Sequence, residues 1–112
     1  MSQPTMQTRT LGRLLDQYSD DFDKLGSSNE TLVKDILNQV PLTNDSEELR
    51  LIAGQIWDKY FCVDPEVMIK ILRRWLEIQP DNKEAKLALG NYLLAHGPDW
   101  DEEANQLLQD AK

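Results

Sequence analysis

Apolar residues recur with the period of an α-helix in the middle of the chain, after the run Asp64-Pro65-Glu66. They fall at i, i+1, i+4, i+5, i+8 and i+9, which is one face of a helix. Asp caps the free N–H groups of a helix start, Pro fits the first turn, and Glu favours the positive end of the helix dipole. We therefore predict an amphipathic helix whose buried face is made of Val67, Met68, Ile71, Leu72, Trp75 and Leu76.

Similar helix starts occur at four further places, where Asp, Asn or Ser is followed three residues later by Glu, as in a capping box. These pairs are Ser27 with Glu30, Asn44 with Glu47, Asp81 with Glu84, and Asp99 with Glu102. No stretch alternates in a way that predicts a strand. We expect an all-α fold with six helices, near residues 10–25, 29–40, 45–61, 65–79, 82–96 and 100–111.

The polar residues around Pro4 predict a disordered N-terminal tail over residues 1–9. The remaining residues, 10–112, have the length of one domain. We expect them to form a single helical domain.

The helical pattern repeats when the sequence is shifted by 36 residues. The shift brings Gly54 onto Gly90, and it superimposes the apolar faces of the second, fourth and sixth predicted helices. The first predicted helix has Tyr18 where the glycine would stand. A period of this length is typical of helical solenoids, in which each hairpin buries its faces against its neighbours. We therefore expect three stacked helical hairpins.

Gly90 lies inside a predicted helix, where glycine costs about 1 kcal/mol relative to alanine. Such a glycine often allows another backbone to approach closely. We expect the two helices over residues 82–96 and 100–111 to form a tight hairpin at Gly90.

Three features of residues 74–111 match the pattern of a known helical repeat. They are the Leu89-Gly90 pair, the small residue Ala104 in the following helix, and the turn from Leu76 to Pro80. With these features the chain resembles the tetratricopeptide repeat family, whose members build protein-binding scaffolds. Two positions depart from the family pattern, because the turn around Gly97-Pro98 is longer than usual and Met68 takes the small position of the middle repeat.

The resemblance implies a groove lined by the first helix of each hairpin. The partner-binding residues that it implies form two sets spaced i, i+4, i+7, so that each set lies on one helical face. They are Leu51, Gln55 and Asp58 in one repeat, and Leu87, Asn91 and Leu94 in the next.

The chemistry of this implied groove is apolar and amide rather than basic. A chaperone-tail-binding version of the fold uses several Lys and Arg to hold a terminal carboxylate. This chain has Leu51, Leu87 and Glu84 instead. The alternative interpretation is that Leu87 and Leu94 pack on the neighbouring helix.

The three tryptophans have different expected roles. Trp75 is in phase with an apolar face, and Trp57 takes a bulky inter-helix position in the repeat, so both are expected in the core. Trp100 follows Asp99 in a polar turn. It either fixes this turn onto the hairpin or forms a partly exposed anchor for a partner.

Charge and composition exclude several classes of function. The 112 residues carry a net charge of −8, which is repelled by nucleic acid and by anionic lipid. No apolar run approaches the roughly 18 residues that a membrane span needs. Cys62 is the only cysteine, and the N-terminal residues lack a hydrophobic signal core, so we expect a cytoplasmic protein.

Residues suited to catalysis or cofactor binding are scarce. His96 is the only histidine, and it lies at the end of a predicted helix, where it suits the last carbonyls. Cys62 is expected to be a small buried hydrophobe. The acidic residues at 20–23 and 99–103 are expected to form a solvated face and a helix start, and no Cys/His spacing fits zinc. We expect no enzyme activity, no metal and no cofactor.

The expected function is that of a small cytoplasmic adaptor that binds another protein or peptide in a groove. Two alternatives remain open at the level of the sequence. One is an acidic inhibitor or immunity-like protein that masks a basic site. The other is a structural unit that forms homo-oligomers through its last hairpin.

Overall fold

The computed structural model describes residues 10–26, 30–60, 63–96 and 101–111. These residues contain six α-helices, one short 3-10 helix at Val40–Leu42, and no strand, which confirms the all-α fold. The α-helices are α1 Thr10–Leu25, α2 Glu30–Gln39, α3 Ser46–Ala53, α4 Pro65–Ile78, α5 Lys83–Ala95 and α6 Asp101–Asp110. The predicted tail over residues 1–9 lies outside the described residues. No described helix has the length and apolar character needed to cross a membrane.

The start of α4 is the predicted one. The Asp64 side chain accepts a hydrogen bond from the backbone N–H of Glu66 (3.0 Å), and Pro65 opens the helix. The apolar face predicted for this helix is also confirmed. On this face Val67, Met68, Ile71, Leu72 and Trp75 are buried, and the half-buried Leu76 packs against the same core.

The starts of α3 and α5 lie one residue later than predicted. Asp45, not Asn44, accepts hydrogen bonds from the first turn of α3, because the Asn44 side chain accepts one from Arg74 (2.6 Å). Asn82, not Asp81, caps α5 through a bond from the backbone N–H of Ala85 (3.0 Å). The predicted starts at Ser27 and Asp99 lie outside the described residues.

The third helix is shorter than predicted, because α3 ends at Ala53 rather than near residue 61. Residues 54–60 continue as a series of turns. In these turns the N–H of Gln55 donates to Ile52 (3.0 Å), and the N–H of Tyr60 donates back to Gln55 (3.0 Å). Gly54 stands where the regular helix stops, and glycine is among the weakest helix formers.

The buried side chains of the described helices form one continuous hydrophobic cluster. Each odd-numbered helix packs against the helix that follows it, so that α1 contacts α2, α3 contacts α4, and α5 contacts α6. Further contacts join α1 to α3, α2 to α4 and α4 to α5. Both α1 and α2 are therefore joined to the next helix but one, and α4 connects the first four helices to α5.

The close approach of a second helix predicted at Gly90 is confirmed. A Cβ atom at this position would lie 2.9 Å from Cγ of Leu108 and 3.3 Å from the backbone oxygen of Ala104 in α6. Gly54, its counterpart in the repeat, has no such neighbour, since the nearest atoms lie at 3.6 Å and belong to α3 itself. Met68, which replaces the small residue of the middle repeat, is fully buried.

Candidate partner-binding cleft

An open cleft lies between α1 and residues 51–60, and we call it the α1–α3 cleft. It has a wide part of about 660 Å³ and a narrow part of about 200 Å³, and both parts are lined by Asp16 and Lys59. The wide part is lined in addition by Ser19, Asp20, Phe22, Asp23 and Asp58. The narrow part is lined in addition by Gly12, Arg13, Glu48, Leu51, Ile52, Gln55 and Tyr60.

Three polar contacts hold the turns after α3 against α1. The Asp16 carboxylate accepts a hydrogen bond from the Tyr60 hydroxyl (2.6 Å) and forms an ion pair with Lys59 (2.8 Å). The Ser19 hydroxyl donates to the backbone oxygen of Lys59 (3.0 Å). Burial, together with the hydrogen bond to the Asp16 carboxylate, raises the pKa of Tyr60 well above its ordinary value.

A buried carboxylate is among the residues that line the narrow part. Glu48 in α3 is only 4% exposed, and its Oε2 accepts a hydrogen bond from the backbone N–H of Gly12 (2.8 Å). Gly12 is the third residue of α1, where N–H groups have no partner within the helix. The carboxylate thus satisfies a free donor and meets the positive end of the α1 dipole. Sequence reasoning missed this residue, although Glu48 precedes the buried Ile52 by four residues and so shares its helical face.

The wide part of the cleft carries negative charge, since four aspartates and one lysine line it. Asp16 is compensated by Lys59, and Asp20 forms an exposed ion pair with Lys24 (3.1 Å). Asp23 and Asp58 are exposed and have no ion pair among the described residues. These two carboxylates are therefore available to a positively charged group.

An aromatic cluster joins the turns after α3 to the end of α5. Tyr92 and His96 lie with ring centroids 4.2 Å apart, and Trp57 packs over both, at 5.5 Å from Tyr92 and 6.1 Å from His96. Burial, with a smaller effect of the Asp64 charge, raises the pKa of Tyr92 to about 12. The prediction that Trp57 belongs to the core is wrong, because this side chain is 54% exposed. It lies beyond the end of α3 and covers the other two rings from the solvent side.

His96 takes the C-terminal position expected from the sequence. Its backbone N–H donates to the carbonyl of Leu93 (3.1 Å) at the end of α5. Its side-chain Nε2 is buried and has no hydrogen-bond partner within the described residues. Its ring contacts the rings of Trp57 and Tyr92, so it packs as part of the cluster.

The structure divides the predicted partner-binding residues into two groups. Leu51 and Gln55 line the narrow part of the α1–α3 cleft, and Asp58 lines the wide part. The other set, on α5, lies on the face opposite the buried Ala85 and Leu89, and it lines neither part of the cleft. This second set consists of Leu87, Asn91 and Leu94.

The two leucines of the second set are exposed. Leu87 is 42% and Leu94 is 41% exposed, so neither side chain is enclosed by a neighbouring helix. Trp100 and Cys62 lie outside the described residues. The residues that sequence reasoning did not assign to the cleft come mainly from α1, because only the folded chain brings Arg13 and Asp16 beside residues 51–60.

No group of three or more His, Cys, Asp or Glu side chains within the described ranges is placed to hold a metal ion. Comparisons with protein-family models, with curated proteins and with solved structures gave no match to this chain.

Proposed function

We propose that this chain is a small, non-catalytic cytoplasmic adaptor that binds another protein or peptide. In this proposal the six helices form three hairpins stacked in a tetratricopeptide-like manner. The contacts of α1 with α3 and of α2 with α4 support it, because stacked hairpins place first helices beside first helices and second helices beside second helices.

The observation that carries the proposal is the exposure of large apolar side chains on α3 and α5. Leu51 is 37% exposed, and Leu87, its counterpart in the 36-residue repeat, is exposed to a similar extent. Leu94 lies on the same face of α5 as Leu87, two helical turns further on. Exposed apolar side chains that share a face with polar residues are a feature of protein-interaction sites.

The test is affinity capture from a lysate of the native cell with the wild type and with the variant Leu87→Glu/Leu94→Glu. Both positions are exposed, so the variant should retain its helix content while losing the captured partner. Leu42→Glu is the matched control, because Leu42 is 68% exposed but lies in the 3-10 helix at Val40–Leu42. Unchanged capture by the α5 variant, or equal loss in the control, would remove the support for this surface.

A second candidate is an acidic protein that masks a basic site on its partner. The net negative charge of the wide part of the α1–α3 cleft favours it. Binding that depends on exposed charges weakens strongly with salt, whereas apolar binding does not. Capture at low and high salt therefore separates the two candidates.

A further inference from the structure

The two parts of the α1–α3 cleft differ in chemistry and adjoin at Asp16 and Lys59, which line both. The narrow part has an apolar side made by Leu51, Ile52 and the ring of Tyr60. The wide part has the exposed carboxylates of Asp23 and Asp58. Since Asp16 and Lys59 line both parts, one elongated occupant can contact both ends.

We propose that the α1–α3 cleft takes a peptide segment of a partner in which an apolar side chain stands close to lysine or arginine. The apolar side chain packs on Leu51 in the narrow part, and the cation lies between Asp23 and Asp58 in the wide part. This inference rests on the proposed adaptor function and specifies the chemistry of its ligand.

Charge complementarity selects the cation. The acid side chains of the wide part outnumber its single lysine, and that lysine is already paired with Asp16. A negatively charged segment would be repelled by Asp23 and Asp58, and a neutral segment would gain no electrostatic attraction from them. Phe22, which also lines this part, gives the methylene stem of a lysine or arginine an apolar surface.

The apolar side of the cleft favours an apolar side chain in the ligand. Leu51 remains 37% exposed although Ile52 and Tyr60 beside it are buried. A leucine-sized group that covers it removes further apolar surface from water, at about 25 cal/mol for each Å². A ligand with a cation alone would leave this surface exposed.

Three labelled synthetic peptides test the inference on the full chain by fluorescence anisotropy. The first has one leucine flanked by lysines in a glycine and serine background, the second has glutamate in place of lysine, and the third has serine in place of leucine. The leucine–lysine peptide is expected to bind at least about tenfold more tightly than either of the others, and the affinity should fall with salt. Its binding should shift the amide resonances of residues 51–60.

The variant Asp23→Lys/Asp58→Lys gives the second arm of the test. It should lose about tenfold or more in affinity for the leucine–lysine peptide and gain affinity for the leucine–glutamate peptide. The matched control is Asp35→Lys/Asp110→Lys, which changes the net charge equally at exposed positions on α2 and α6. This control should keep most of the affinity, since its charges lie outside the cleft.

Three results would overturn the inference: equal binding of the three peptides, equal loss in the control variant, or resonance shifts confined to α5. They would leave the adaptor function itself standing, because that proposal is tested by capture through Leu87 and Leu94. Conversely, failure of capture together with tight leucine–lysine binding would refute the α5 surface and retain the cleft.

Discussion

Gly90 and Gly54 occupy equivalent positions of the 36-residue repeat, but their surroundings differ. At Gly90 a Cβ atom would lie only 2.9 Å from Cγ of Leu108, so the absence of a side chain allows α5 and α6 to pack this closely. At Gly54 the space for a Cβ atom is free, and the backbone has ordinary helical angles (φ −68°, ψ −13°). The sequence pattern treats the two glycines alike, whereas packing distinguishes them.

Alanine at the two glycines should therefore have opposite effects on stability. We expect Gly90→Ala to lower the free energy of unfolding by about 1 kcal/mol, because overpacking exceeds the gain in helix propensity. We expect Gly54→Ala to raise it by about 0.5–1 kcal/mol, because only the unfolded chain loses freedom. Urea denaturation of both variants checks this. A stabilising Gly90→Ala would show that Leu108 moves aside at no cost.

Tyr92 links stability to alkaline pH. Its hydroxyl has a pKa of about 12 in the folded chain, against roughly 10 when unfolded. A group whose pKa is raised by folding contributes stability below its unfolded pKa and loses it as the pH rises through the folded value. The free energy of unfolding should thus fall between pH 10 and about 12.

Tyr92→Phe supplies the comparison for this pH dependence. Its stability should decline less steeply over the same pH range, because the phenylalanine ring has no group to ionise. If the free energy of unfolding declined equally in the wild type and in Tyr92→Phe, other groups would be the cause of the lower stability at alkaline pH. Denaturation at a series of pH values gives both curves.

Helix α1 is held at its start by a residue of another helix. The carboxylate of Glu48 in α3 accepts from the backbone of Gly12, and the ring hydroxyl of Tyr60 donates to Asp16 one turn further along α1. Since α1 contributes one wall of the α1–α3 cleft, these contacts also fix the shape of the cleft. The position of α1 therefore depends on polar contacts that are distant in sequence.

Removal of the Glu48 side chain should loosen α1. We expect Glu48→Ala to cost about 2–3 kcal/mol, because a hydrogen bond to a charged group is lost and the N–H of Gly12 is left without this acceptor. Hydrogen exchange should increase in the first turn of α1. Glu47→Ala is the control: Glu47 pairs with exposed Arg50 in the same helix, and its loss should be smaller. Equal costs for the two variants would contradict this role of Glu48.

The elements that follow one strong local pattern could be predicted from the sequence. The start and buried face of α4 are determined by Asp64, Pro65 and an unbroken apolar stripe, and all were predicted. The end of α3 could not be predicted in this way. The apolar pattern continues to Tyr60, although regular helical hydrogen bonding stops at Gly54. The cap of α3 was missed by one position, because the Asn44 side chain accepts a hydrogen bond from Arg74 of another helix, which no local pattern indicates.

The candidate site was predicted only in part, because it combines local and distant residues. Leu51, Gln55 and Asp58 were implied by the resemblance to tetratricopeptide repeats, and they line the cleft. Asp16 and Tyr60 are in contact although they are 44 residues apart in the sequence, and no local pattern indicates that contact. The exposure of Trp57 likewise follows from tertiary packing against Tyr92 and His96.

The folded protein combines one hydrophobic core with a strongly acidic surface. The radius of gyration of 14.3 Å is near the value of about 13 Å typical of a domain of this size. The net charge of −8 opposes association of identical copies, since like charges repel. The mass in solution should thus remain that of one chain over a wide concentration range.

Analytical ultracentrifugation at low and high salt checks this prediction. A mass that doubles with concentration at either salt level would instead favour the alternative of a homo-oligomer formed through the last hairpin. The last hairpin, formed by α5 and α6, is joined to α4 by the ion pair between Arg73 and Glu103.

We propose that this chain acts through the exposed faces of α3 and α5 and through the cleft beside α1. The most direct test is hydrogen exchange of the chain alone and in complex with its captured partner. We predict slower exchange in residues 51–60 and in α5 around Leu87 and Leu94, with α6 unchanged. Protection confined to α6, or to the surface around Leu42, would contradict the claim.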